Sequence, residues 1–199
     1  MEDIRNLCVS LGSEYNTMKD AIRKIRSDYH RYTGKGNQPF HRILLYLLFG
    51  RNHSFNYSFW LRLAHEKSWV WPLAVWRHRR LSVKYCMDIP RRCRIGYGLY
   101  LGHGMCMVVN GRTVIGNNVN LSQFLNIGSN KSTPATIGDN VWIGPNVCIV
   151  EDVHIGSNSN IAAGAVVVKD VPEGSTVAGV PAKVISDTHT DFIANKYPV

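Results

Sequence analysis

From Ile137 to Val168 a bulky aliphatic residue returns at every sixth position: Ile137, Ile143, Ile149, Ile155, Ile161 and Val167. Small residues follow most of them, at Gly138, Gly144, Gly156 and Ala162, and Val141, Val147 and Val153 add a second apolar position two residues ahead of three of them. The register extends upstream through Ile115, Leu121 and Ile127, and earlier through Ile95 and Leu101. Neither a helical period nor strand alternation repeats after six residues, whereas a hexapeptide solenoid does. Three hexads make one triangular coil, with the aliphatic side chains inside and a small residue at each tight corner. A single coil cannot bury its apolar edge, so coils stack and hydrogen-bond to one another. Gly138, Asn140, Gly144 and Asn146 are residue types that tolerate the dihedrals of such corners. A β-sandwich would need six in-register returns by coincidence. The pattern predicts a mainly β fold, a parallel β-helix running from about residue 91 to 177. Two irregularities interrupt it: a step of eight between Met107 and Ile115, and a step of ten between Ile127 and Ile137. The second makes residues 129–134 an excursion, and loops leaving a rigid scaffold often carry function.

Residues 1–84 lack the hexad. Ile4, Leu7, Cys8 and Leu11 share helical spacing, as do Met18, Ile22 and Ile25. Thr33 to Asn37, with two glycines, reads as a loop. Pro39 suits the first turn of a helix over Phe40–Phe49, and further helices are expected over Tyr57–Lys67 and Pro72–Val83. The chain thus divides into an N-terminal helical domain (1–84), a β-helix domain (85–185) and a C-terminal tail (186–199). The helices are expected to cap the open end of the prism.

The formal net charge of +9 suits nucleic acid, an anionic membrane surface or a polyphosphorylated ligand. Trp60, Trp69, Trp71 and Trp76 lie close in sequence to Arg77, His78, Arg79, Arg80 and Lys84. That mixture fits peripheral membrane contact. The competing reading packs the tryptophans among the helices and leaves the arginines as a solvated face. No nucleic-acid recognition motif is present, and nucleic acid is not expected as a partner. The apolar run Ile43–Phe49 is far short of the roughly 20 residues a membrane span needs. The acidic, amphipathic start differs from a secretory signal, and a cytoplasmic location is expected. Five cysteines, odd in number and without metal-type spacing, read as buried thiols in a reducing compartment with no metal site.

Several local motifs accompany the hexads: Ser82-Val83, Asp88-Ile89, Ile95-Gly96-x-Gly98, a Gly-His pair at Gly102-His103, Val108-Val109, and the closing Ala178-Gly179-Val180-Pro181-Ala182-Lys183. With them the chain resembles the serine acetyltransferase family of the hexapeptide-repeat (left-handed β-helix) acyltransferases. It is most similar to divergent members that act as polysaccharide O-acetyltransferases. The resemblance implies a homotrimer, with pairing of trimers left open. Acetyl-CoA would be the cosubstrate, lying in the groove between two prisms.

His103 falls where the family has its general base. A neutral imidazole can take the proton of an attacking hydroxyl, and its ordinary pKa of ~6.5 suits neutral pH. Its surroundings, Leu101-Gly102-His103-Gly104, leave room for a substrate. His154 lies in a hexad at a variable position and reads as a surface residue. The resemblance further implies that Gly144 and Pro145 lie on the edge followed by the pantetheine arm. Ala162, Ala163 and Gly164 would permit its close approach, and Lys169 and Lys183 would meet its phosphates. The family carries an acidic residue directly before the histidine, where this chain has Gly102, and an Arg-His pair in the excursion, where it has Ser132-Thr133. Both charges that would hold a free amino acid are therefore replaced, and Asn110, Ser122, Gln123 and Asn126 are expected to hydrogen-bond a neutral acceptor. The expected activity is acetyl transfer to a hydroxyl of a sugar or polysaccharide precursor. Serine O-acetylation and a catalytically inactive scaffold are the alternatives. Val199 is similar to the terminal isoleucine with which some family members dock a partner enzyme.

Overall fold

A computed structural model describes residues 18–36, 38–65, 69–130, 134–150, 152–188 and 190–199. The helix expected around Ile4–Leu11 and the excursion residues Ser132 and Thr133 lie outside them. Among the described residues four helices come first: α1 (Met18–Thr33), α2 (Phe40–Phe49), α3 (His53–His65) and α4 (Trp71–Tyr85). α2 has the expected bounds. α3 begins four residues earlier than its apolar pattern suggests, because the Asn52 side chain accepts the Phe55 N–H at 2.9 Å and caps the first turn. α4 ends at Tyr85, where Cys86 turns left-handed at φ 52°. Ala21, Ile25, Tyr29, Ile43, Phe55, Phe59 and Ala74 form an apolar cluster of their own among the helices.

Among the described residues thirteen short strands then wind into the prism, and a fourteenth closes it. One sheet stacks β1 (Arg94–Ile95), β4 (Val114–Ile115), β7 (Thr136–Ile137) and β10 (His154–Ile155). The second stacks β2 (Tyr100–Gly102), β5 (Asn120–Ser122), β8 (Trp142–Ile143), β11 (Asn160–Ile161), β13 (Thr176–Ala178) and β14 (Lys183–Ser186). The third stacks β3 (Val108–Val109), β6 (Asn126–Ile127), β9 (Cys148–Ile149) and β12 (Val166–Val167). All pairs are parallel except β13 with β14. The repeat aliphatics stand one above another: Ile95, Ile115, Ile137 and Ile155 on the first sheet, and Leu101, Leu121, Ile143, Ile161 and Val177 on the second. All of them are buried. This is the left-handed parallel β-helix with N-terminal helices that the hexad and the resemblance imply.

The eight-residue step lies one strand earlier than the sequence reading places it. Val109, not Met107, pairs with Ile127 and fills the repeat position. Met107 is buried two residues ahead of it, as Val141 is ahead of Ile143. The extra two residues therefore belong between Leu101 and Val109, at the corner containing His103.

The helices finish the exposed edge of the first coil. Arg62 on α3 forms a buried ion pair with Asp28 on α1, at 2.9 Å, and donates to the carbonyls of Ile95 and Gly96. Asp28 accepts the Leu99 N–H, Ser27 that of Gly98, and the Tyr32 hydroxyl that of Leu101. Buried polar groups at an open coil edge would otherwise lack partners. At the far end the chain turns through Gly179–Ala182 into β14, and the tail then runs back along the second sheet. Thr190 O accepts from Asn160 at 2.8 Å, Phe192 packs on Trp142, and Tyr197 exchanges two hydrogen bonds with Asn118.

The cysteines depart from the expected burial. Cys93 is buried, and burial pushes its thiol up to about 12, but Cys86 and Cys148 are exposed and Cys106 is half-buried. Cys86 ends α4, Cys106 lies at a corner of the prism and Cys148 at an outward strand position, and none of these places offers an interior.

Candidate active site

Successive corners between the second and third sheets form one edge of the prism. Every corner there has a residue in left-handed conformation: Cys106, Phe124, Asn146 and Gly164, at φ between 51° and 72°. His103 adds a second left-handed residue, at φ 49°, in the one corner that is two residues longer. Few non-glycine residues take this conformation, and where one departs from the regular pattern the strain often marks a functional position. The imidazole is exposed, and no described residue hydrogen-bonds it. The backbone beneath it is held firmly. Ser54 Oγ, at the start of α3, accepts the Gly104 N–H at 2.9 Å, and Tyr85 O accepts that of Cys106. A helix-anchored corner thus projects one titratable ring into solvent.

Several expected site residues share this edge. Ser122 lies beside Gly102 in register, and Gln123 O accepts the Asn146 N–H at 3.1 Å. Pro145 O accepts the Gly164 N–H at 2.8 Å, so Gly144, Pro145, Ala162, Ala163 and Gly164 stack on the corners beyond Gln123. Gly144 is buried, and a Cβ there would meet the Ala163 nitrogen at 2.8 Å, so coil stacking alone requires its lack of a side chain. Around Gly164, by contrast, a Cβ would meet nothing within 4 Å: its corner opens outward. Lys183 follows the Gly179–Ala182 turn, which packs on the same edge through Val166.

Others are not brought there. Asn110 sits at the next corner round, where its side chain accepts the Arg112 N–H at 2.9 Å and caps that turn. Lys169 also follows the third sheet, past Val167. Asn126 is exposed at the start of β6, one strand position past the His103 edge. His154 is exposed on the first sheet, 2.8 Å from the Thr136 hydroxyl, as expected of a surface residue.

The sequence reading missed three features of this edge. Met105, Val108 and Phe124 are exposed apolar side chains flanking His103. Asp88, exposed and bridged to Val108, places a carboxylate on the face that begins where the His103 corner ends. Ser54, a helix residue, ties down the corner itself. The Asp88-Ile89 motif was visible in the sequence, but its position relative to His103 depends on how the first coil closes.

A left-handed prism of hexads beneath a helical cap defines the class, the hexapeptide-repeat transferases. Residues 134–169 match the family described as "Bacterial transferase hexapeptide (six repeats)". A Saccharomyces cerevisiae protein, YJL218W, named as an acetyltransferase without a stated acceptor, is 40% identical over 57% of this chain and 65% of its own length. Serine acetyltransferase 2 of Arabidopsis thaliana is 38% identical over 62% of this chain and 40% of its own. Among solved structures, the Neisseria gonorrhoeae serine acetyltransferase in complex with serine superposes with a TM-score of 0.66 at 32% identity, covering 87% of this chain and 71% of that one. The chain belongs to the serine acetyltransferase family of hexapeptide-repeat acyltransferases. It spans less than two thirds of the length of these curated relatives.

Proposed function

We propose that the chain is an acetyl-CoA-dependent O-acetyltransferase in which His103 is the general base. The observation that carries this reading is the lengthened corner with its left-handed, exposed histidine, above a column of small corner residues. His103 takes the proton of the acceptor hydroxyl as its oxygen adds to the thioester carbonyl. The C–S bond then breaks, and the proton passes from the imidazolium to the departing thiolate. Backbone N–H groups near the corner would hold the oxyanion, where losing one donor typically costs ~10²–10³ in rate. Asp88 would orient the imidazole. Pro145, Ala162, Ala163 and Gly164 line a path for the pantetheine arm, with Lys183 near its end. Lys169 and Asn110, at the other corner, would reach the bound molecules only across a subunit boundary. The exposed Met105, Val108 and Phe124 beside His103 support such a boundary, and hence a homotrimer. Free thiols at Cys86 and Cys148 support a cytoplasmic location.

For the acceptor, the comparisons favour L-serine over the expected glycan, since a matching structure is described with serine bound. A second reading, a neutral sugar hydroxyl, rests on one observation. The described corners of the His103 edge, from Gly102 through Ser122 and Gln123 to Gly164, carry no carboxylate to meet an ammonium group. Thiol release from acetyl-CoA, measured with L-serine and with a panel of free and nucleotide-linked sugars, separates the two. His103→Ala is expected to lower kcat by ~10²–10⁴ with the fold intact. Full turnover by that variant overturns the assignment. No turnover with any acceptor, together with no coenzyme A binding, would return the chain to a scaffold.

A further inference from the structure

We infer that the outer face of α4 is a docking surface for an anionic lipid bilayer. The inner face of this helix packs through Ala74, His78, Leu81 and Tyr85. On the opposite side, Leu73, Trp76, Arg80 and Val83 follow one another at steps of three and four residues, and Lys84 lies four past Arg80, so they form a single stripe. Leu73 is 53% exposed, Trp76 54% and Val83 76%, and Trp69, in the turn just before α4, is 90% exposed.

A packing role would bury the tryptophans. Trp60 and Trp71 are partly buried as that role requires, but Trp69 and Trp76 are not. An ordinary solvated face would mix charges of both signs. Here α4 carries Arg77, Arg79, Arg80 and Lys84 and no acidic residue. Among the described residues none of these four pairs with a carboxylate. The Arg80 guanidinium instead lies over the Trp76 ring at 5.8 Å. The bias is regional: between Asp28 and Asp88 the sequence has ten Lys and Arg against one acidic residue, Glu66. Among the described residues no helix is long and apolar enough to cross a membrane, so contact would be lateral.

Charge complementarity points to the occupant. Tryptophan rings settle at the level of lipid headgroups, aliphatic side chains reach the acyl boundary, and Arg and Lys meet anionic headgroups. Nucleic acid would use the cations and leave Leu73 and Val83 unemployed. A protein partner could cover the apolar stripe, but would need an unusually acidic surface to do so.

The test is co-sedimentation of the full chain with vesicles of phosphatidylcholine alone, and of phosphatidylcholine mixed with phosphatidylglycerol. The expected result is binding to the mixed vesicles about tenfold or more tighter than to the neutral ones, weakening as salt is raised. The triple variants Trp69→Ala/Leu73→Ala/Trp76→Ala and Arg77→Gln/Arg80→Gln/Lys84→Gln should each lose at least tenfold, with thermal unfolding unchanged. Equal partition to both lipid compositions overturns the inference, as does no partition to either. It also fails if the variants keep wild-type lipid binding but change the oligomeric state, which would make the stripe a subunit contact. Salt-sensitive binding to DNA without binding to the mixed vesicles would likewise refute it. Should a variant lose its helical signal, the two wild-type lipid measurements still decide.

Discussion

His78 sits at the centre of the α3–α4 contact, its Nε2 3.1 Å from the Tyr57 hydroxyl, which in turn accepts the Ile89 N–H. Burial disfavours the charged imidazolium and pushes His78 down to about 4, against an opposing pull from Asp88. An unfolded chain binds that proton near the ordinary value of ~6.5, so between the two values the unfolded state holds more protons. Stability from this group is therefore complete above pH 6.5 and falls as pH drops toward 4, by on the order of 2–3 kcal/mol. Urea titrations at pH 7 and pH 4.5 should show the loss, and His78→Phe should flatten it. At His103 it is the backbone rather than the ring that is constrained. Its identity was legible in the Gly-His pair. Its left-handed backbone was not, because Met107 and Val109 are equally good aliphatics and only strand pairing decides which one fills the repeat. The placement of Asp88 and Ser54 relative to His103 was not legible for a related reason: both lie across coil or helix boundaries that no local spacing encodes.

At the level of the coil, stacking distance governs what a corner can hold. A Cβ at Gly138 would lie 2.6 Å from the Ser157 hydroxyl and 2.7 Å from the Ser157 backbone nitrogen of the next coil, and the backbone cannot yield as the hydroxyl can. Gly138→Ala should destabilise the protein by ~1–3 kcal/mol, read as a lower urea midpoint with an unchanged slope. The period of six made these elements readable in advance: every aliphatic from Ile95 to Val167 that the hexad singled out is buried. Helix bounds were less legible. The Asn52 cap that starts α3 is polar and lies outside the apolar pattern from which the helix was expected. Nor did the pattern reveal which tryptophans face outward, since Trp60, Trp69, Trp71 and Trp76 look alike until the helices have been packed.

For the molecule as a whole, the two ends of the prism are finished differently. Buried charges on α1 and α3 close the first coil, and an antiparallel strand closes the last. The tail joins these regions, with Tyr197 stacked near Tyr97 and edge-on to His30 of α1, and Asn195 donating to Arg31 O. Truncation after Asp187 should lower the melting temperature by several degrees and speed proteolysis within α1, with helix content largely retained. The tail also measures. Thr190, Phe192 and Tyr197 meet three different rungs, spaced by the ~4.8 Å between paired strands. A strap anchored at both ends has one length, so a gene that gained or lost a single coil would leave it slack or short. The tail acts as a ruler for rung number, and an inserted coil should fold only with a matching insertion between Thr190 and Tyr197.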